Sequence, residues 1–188
     1  MFDAVYDEPG HVVELRRQLR RFVEAKAPRE KRREWDRAHT WPRELFRELA
    51  EMGLCALTVP EAYGGEGQDI VAAVAIVEEL SRAGAFLAGP YIHCAFYGGM
   101  NIAENGSESQ KAALLPRLAK GELLFAYGLS EPDVGGDLSN VRTRAQLDGD
   151  SLVVNGAKRW CTGADWADFI YCLVNSDTKA PKHDALSF

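Results

Sequence analysis

VRTRAQLDGDSLVVNGAKRWCTG, residues 141–163, is the stretch in which the chain changes its period. Val141, Thr143, Ala145 and Leu147 alternate with polar residues, as a half-buried strand requires. Asp148-Gly149 marks a turn, Leu152 to Val154 a second strand, and Asn155-Gly156 a second turn with the strongest short hairpin signal in the chain. Phe169 to Val174 adds another short apolar strand, and Leu186-Ser187-Phe188 starts one more. Upstream of Gly121 the apolar residues instead recur at steps of three and four. The predicted fold class is therefore α+β, with a boundary near residue 121. An all-α helical domain occupies residues 1–121, and a truncated antiparallel, β-barrel-like middle domain occupies 122–188. A sheet cut at Phe188 would present an unpaired edge, to be met by further chain or by another element.

Within the first domain, Val12, Leu15, Leu19, Phe22 and Val23 make one apolar stripe among Arg16, Arg17, Arg20 and Arg21. Pro42 suits the start of a second helix with Leu45, Phe46, Leu49 and Met52 inward, and Gly53 suits its stop. LTVPEAYGGEGQ, residues 57–68, reads as a long loop. Asp69 is a candidate N-cap for a helix whose apolar pattern runs through Ile70, Val74, Val77 and Leu80. A buried helical stretch follows over 89–105. Ser107 and Gln110 form a capping box for a helix that Pro116 is expected to shorten or bend.

Of 188 residues, 46% are hydrophobic and 27% charged, ordinary for a soluble globular protein. A net charge of −6 argues against a nucleic-acid binder. No apolar run is long enough to span a bilayer, and MFDAVYDEPGH shows no secretory signal. Cys55, Cys94, Cys161 and Cys172 are too dispersed for a zinc site and suit free thiols, so a cytoplasmic location is expected. The four histidines lack metal-ligand spacing, and His93 reads as a core or interface residue. The first 50 residues hold 12 Lys and Arg against 10 acidic residues, which describes an ion-paired face rather than a polyanion site. A salt-sensitive contact of that helix with DNA or anionic lipid is the weaker alternative.

Two segments have the makings of a ligand site. YGLSEPDVGGD, residues 127–137, puts Ser130 at the end of an apolar strand and follows it with Gly135-Gly136, a pair able to aim backbone N–H groups at an anion. One hairpin later, Trp160-Cys161-Thr162 offers an indole two residues from a hydroxyl, hence on one face if the segment is extended. That pair suits a planar heteroaromatic ring, one residue stacking and one hydrogen-bonding; a core Trp beside a surface Thr is the plainer alternative.

Together, FAYGLSEPDVGGDLSNVRTRA and LVVNGAKRWCTGADWADFIYCLVNSD closely resemble the flavin-binding segment of acyl-CoA dehydrogenases. That family joins a Ser/Thr-Glu-Pro-x-x-Gly-x-Asp loop to an Asn-Gly-x-Lys-x-Trp-x-Thr hairpin. LCALTVPEAYGGEGQD, NGSESQKAALLPRLAKGE and APKHDALSF extend the resemblance over nearly the whole chain. It implies FAD as cofactor. Tyr127, Leu129 and Ser130 would line the flavin ring, Trp160 would pack on it, and Thr162 would reach toward N5, with Cys161 between them. Gly135 and Gly136 would lie near the FAD pyrophosphate and the substrate's pantetheine arm. Many members have Ser where this chain has Gly136, so a side-chain contact to substrate is lost there.

The implied reaction is α,β-dehydrogenation of an acyl-CoA thioester. A carboxylate base takes the α-proton as the β-hydride passes to flavin N5. In the family that base sits in a C-terminal domain, so no catalytic residue and no metal ligand is assigned in this chain. An electron-transferring flavoprotein and a homo- or hetero-oligomer are the implied partners. The alternative is a non-catalytic, dehydrogenase-like binding subunit whose partner chain supplies the base.

Overall fold

Among the described residues, 8–188, the computed structural model holds helices up to residue 119 and strands from residue 125. Residues 1–7, on which the reading of the N-terminus partly rests, lie outside the described residues. The chain divides into two compact units, Met1–Leu124 and Phe125–Phe188.

The first unit runs α1 (Gly10–Lys26), α2 (Arg29–Ala38), α3 (Arg43–Glu51), α4 (Ile70–Ala83), α5 (Ala85–Ile92), α6 (Asn101–Asn105) and α7 (Glu108–Ala119). His93–Met100, between α5 and α6, continues the helical run as a π-helix. The buried core includes Leu19, Leu49, Ile76, Leu80, Tyr91, Leu115 and Leu118. Two predicted caps form as read: Asp69 accepts the Ala72 N–H, and Ser107 and Gln110 close a reciprocal box at the start of α7. Gly53 follows α3 in the left-handed region. Pro116 sits within α7 without shortening it. His93 is buried, its ring 4.9 Å from that of Tyr97.

Two expected faces are corrected. Met52 caps α3 and is 40% exposed rather than inward. On α4 the buried stripe is Ala72, Ala73, Ala75, Ile76, Glu79 and Leu80, while Ile70 and Val74 face solvent. Small residues win the inner face because α1 packs there, with Val12 against Ala72 and Ala75.

That contact is sealed by charge. Glu79, its side chain 1% exposed, accepts from Arg16 at 3.1 Å and from Arg20 at 2.7 Å. Burial pushes its carboxyl up, but Arg20 and Arg16 outweigh this and hold it below the usual range. Glu78 stays exposed and pairs with Arg16 at 2.5 Å. The arginine-rich face is thus an ion-paired helix contact. Glu79→Ala is expected to cost about 2 kcal/mol in urea denaturation, less than a fully orphaned buried charge, because Arg16 keeps Glu8 and Glu78 as partners. An unchanged midpoint would contradict this account.

The second unit contains β1 (Phe125–Gly128), β2 (Arg144–Asp148), β3 (Ser151–Asn155), β4 (Phe169–Cys172), β5 (Val174–Asn175) and β6 (Leu186–Ser187). β2 and β3 form the predicted hairpin, from Arg144 opposite Asn155 to Asp148 opposite Ser151. Gly149, at φ +59°, opens its two-residue loop, where a type II′ turn wants glycine. The helices-then-strands architecture is the expected one, but the pairing is mixed rather than wholly antiparallel. β1 pairs parallel with β4, β2 touches β5 in parallel, and only β2–β3 and β5–β6 are antiparallel. Some forty residues separate β1 from β4, ample for the crossover that parallel strands need. Phe125 stacks on Phe169 at 5.0 Å, and Tyr127 meets Tyr171 edge-on at 5.7 Å, which fixes the register. The strands form two sheets, and no closed barrel exists among the described residues. Val134, Val141 and Leu173 make the core of this unit.

Candidate functional site

In the strand Phe125–Gly128 the aromatic Phe125 and Tyr127 alternate with the small, buried Ala126 and Gly128, and Glu131 ends the run by turning the chain. Glu131 and Val134 exchange backbone hydrogen bonds at 2.8 and 3.2 Å, so Pro132-Asp133 forms a tight turn. Ser130, half-buried, stands at the entrance to that turn, and its hydroxyl has no partner among the described residues. Leu129 packs on the Val134–Val141–Leu173 core. Tyr127, half-buried on β1, has its ring near Tyr171 and Phe188.

Gly135 and Gly136 lie in an exposed bend. Neither has positive φ, so they do not adopt the alternation of right- and left-handed residues that forms one common anion nest. Nothing lies within 4 Å of a Cβ built on either, so glycine at 136 is not enforced by crowding. Asp137 accepts from Ser139 and Asn140, which holds the following turn.

The Asn155-Gly156 turn and the strand expected to carry Trp160 and Thr162 are both corrected. β3 ends at Asn155 and no strand follows until Phe169. Gly156 is instead favoured by its backbone, at φ +156°, and required by contact. A Cβ there would lie 2.3 Å from Thr143 Oγ1 and 2.6 Å from Thr143 Cα. Trp160 sits in the left-handed region at φ +62°, which turns the chain between Arg159 and Cys161. Thr162 is exposed in a turn, Cys161 is half-buried, and the Thr162 N–H donates to Trp160 O at 2.9 Å. Pleat geometry therefore does not relate Trp160 to Thr162. The indole is 75% exposed, with the Arg159 guanidinium 4.5 Å from its ring centre.

The two motif segments do meet. Arg159 N–H donates to Ser130 O at 2.8 Å, and Lys158 Nζ donates to Leu129 O at 3.0 Å. Beneath them lies Glu131, its side chain 5% exposed, which sequence reasoning passed over. Its carboxylate accepts from Arg142 N at 2.7 Å, Thr143 N at 2.9 Å, Thr143 Oγ1 at 2.6 Å and Lys158 Nζ at 3.0 Å. Burial pushes this carboxyl up. The Thr143 hydroxyl, the two backbone N–H groups and the Lys158 ammonium more than offset that and bring it down to about 2. No local signal marks either residue, since Asp133 and Asp137 follow Glu131 closely and Arg159 adjoins Lys158.

Among the described residues no three groups stand together as metal ligands, and no helix is long and apolar enough to cross a membrane.

The comparisons with known proteins agree over almost the full chain. Residues 11–122 match the acyl-CoA dehydrogenase N-terminal domain, and residues 126–188 match the middle domain of the same family. The (2S)-methylsuccinyl-CoA dehydrogenase of Cereibacter sphaeroides is 37% identical over 187 residues, covering 92% of this chain and 31% of that protein. A solved glutaryl-coenzyme A dehydrogenase in complex with glutaryl-CoA superposes with a TM-score of 0.89 at 30% identity, over 99% of this chain and 47% of that one. A Mycobacterium smegmatis glutaryl-CoA dehydrogenase solved with FADH2 gives 0.80 at 28% identity, over 90% of this chain and 44% of that one. The chain thus spans about half or less of the length of these relatives. With both of its units matched in order, this chain belongs to the acyl-CoA dehydrogenase family.

Proposed function

We propose that this chain forms the flavin-holding part of an FAD-dependent enzyme that desaturates an acyl-CoA thioester between its α- and β-carbons. The observation that carries this is the 2.8 Å hydrogen bond from Arg159 N–H to Ser130 O, which brings together the Ser-Glu-Pro loop and the Trp-Cys-Thr segment. The residues present fit a flavin. A Ser130 hydroxyl with no partner among the described residues, an exposed indole at Trp160 and an exposed Thr162 lie in or beside these joined segments. Open space surrounds Gly135 and Gly136, as the passage of a phosphate or pantetheine chain requires. When bound, FAD supplies the acceptor for the hydride leaving the acyl β-carbon.

The tasks of this chain are to bind and to orient. Ser130 would offer its hydroxyl to the pyrimidine side of the ring, Trp160 would cover a ring face, and Thr162 would supply a hydroxyl toward N5. Tyr127, Leu129 and Cys161 bound the same wall, Leu129 from within the core. Gly135 and Gly136 leave room for the pyrophosphate and the acyl-CoA arm. We assign no base to a residue of this chain. An acyl-CoA substrate, an electron-transferring flavoprotein as acceptor and an oligomeric assembly in the cytoplasm complete the proposal.

Trp160→Ala separates binding from folding. The side chain is 75% exposed, so stability should change by less than about 0.5 kcal/mol. Loss of one stacked ring should raise the FAD dissociation constant about tenfold, read by flavin fluorescence titration. FAD retention equal to wild type would overturn the role given to Trp160.

A further inference from the structure

We infer that Glu131 and Lys158 are positioning residues that set Ser130 and Trp160 at the spacing a flavin needs. The inference rests on the flavin assignment proposed above. The Ser130 hydroxyl has no hydrogen-bond partner among the described residues, and the Trp160 indole is 75% exposed, with the Arg159 guanidinium 4.5 Å from its ring centre. Their neighbours, by contrast, are tightly tied. Leu129 O and the Glu131 carboxylate, on either side of Ser130, both accept from Lys158 Nζ at 3.0 Å. Arg159, between Lys158 and Trp160, donates its N–H to Ser130 O. A third strap, Arg142-Thr143, donates three hydrogen bonds to the same carboxylate, and Gly156 lies flat against Thr143. One buried acceptor thereby fixes the chain at residues 129–131, 142–143 and 156–159.

The chemistry of the pair suits this task. Apolar residues of equal volume would give as much or more stability without the cost of desolvating two charges. A carboxylate and an ammonium, each with several hydrogen bonds, instead specify direction and distance, and ligand sites lose much of their function when such support loosens by about 1 Å. Lys158 is 10% exposed at its side chain, so it is not available to bind a ligand phosphate itself.

The test uses the protein expressed from its complete reading frame, with Lys158→Met and, as a control, Val174→Ala. Val174 is a buried β5 residue paired with Ser187 on β6, and its truncation lowers thermal stability in the same unit. The readouts are the FAD dissociation constant, the positions of the bound flavin's visible bands, and hydrogen exchange of the Arg159 amide in the apoprotein. Lys158→Met should raise the dissociation constant at least tenfold, shift the bands, and speed Arg159 exchange at least tenfold. Val174→Ala should leave all three near wild type at a comparable loss in Tm. Should Lys158→Met fail to fold, Thr143→Val removes a single donor to Glu131 with little change of shape and should move the same readouts in the same direction. Wild-type FAD affinity in Lys158→Met, or in Thr143→Val if that is the variant measured, would overturn the inference while leaving the flavin assignment standing. An intact wild-type protein that binds no FAD would overturn the flavin assignment, and this inference with it.

Discussion

Glu131→Ala should lower the free energy of unfolding by about 3–5 kcal/mol, the largest effect expected for any single truncation in the second unit. The substitution leaves Lys158 Nζ, the Thr143 hydroxyl and the backbone N–H groups of Arg142 and Thr143 without the acceptor they share. Each unsatisfied buried donor costs about 1–3 kcal/mol, and the ammonium costs more. Acid should act on the same group. Its carboxyl is at about 2 in the folded protein and at 4.5 without these contacts. A carboxylate whose folded value is depressed contributes its full stability above the unfolded value and loses it as pH falls through the folded one. The contribution is thus complete above about pH 5.5 and lost toward pH 2, a change of about 3 kcal/mol. Urea denaturation of wild type and Glu131→Gln at several pH values should show the gap between them closing over that window. A gap independent of pH would contradict the depressed value, and a loss below 1 kcal/mol for Glu131→Ala would contradict the network.

Gly156→Ala should cost about 2–4 kcal/mol, although Gly156 is exposed and follows a strand that is itself exposed. The added Cβ would lie 2.3 Å from Thr143 Oγ1, the hydroxyl that donates to Glu131. Relief requires Thr143 or the backbone to move, and either motion lengthens hydrogen bonds to the carboxylate. Gly149→Ala serves as the contrast, because both glycines have positive φ but only Gly149 has open space around it. It should cost only about 1 kcal/mol of backbone strain. Equal losses at the two positions would mean that conformation, rather than contact with Thr143, explains Gly156.

Much of the fold could be read from the chain because its signals are local. The Ser107–Gln110 box, the Asp69 cap, the inward Leu45, Phe46 and Leu49, and the β2–β3 hairpin all depend on residues within a few positions of one another. The misreadings occur where a distant element decides. Local periodicity on α4 points to Ile70 and Val74, but α1 approaches over alanines, whose apolar signal is weak. Alternation in Leu147, Leu152 and Val154 correctly marked strands, yet all three are more than half exposed, since period alone does not say what covers a face. Parallel pairing of β1 with β4 has no local signature.

The candidate site divides in the same way. Ser130 and Trp160 stand out by residue type, and their segments do converge. The pleat geometry expected for Trp160 and Thr162 fails because no strand follows Asn155 until Phe169 and Trp160 adopts φ +62°. Glu131 and Lys158 resemble solvated charges in sequence, and only the fold reveals that they are buried and joined.

The central claim is that this chain cradles a flavin for acyl-CoA dehydrogenation. Its most direct test is the visible spectrum of protein purified from the complete reading frame, recorded anaerobically before and after addition of an acyl-CoA. The account predicts flavin absorption bands that bleach on addition of a matching acyl-CoA. A well-folded protein that is colourless and takes up no FAD when it is supplied would contradict it.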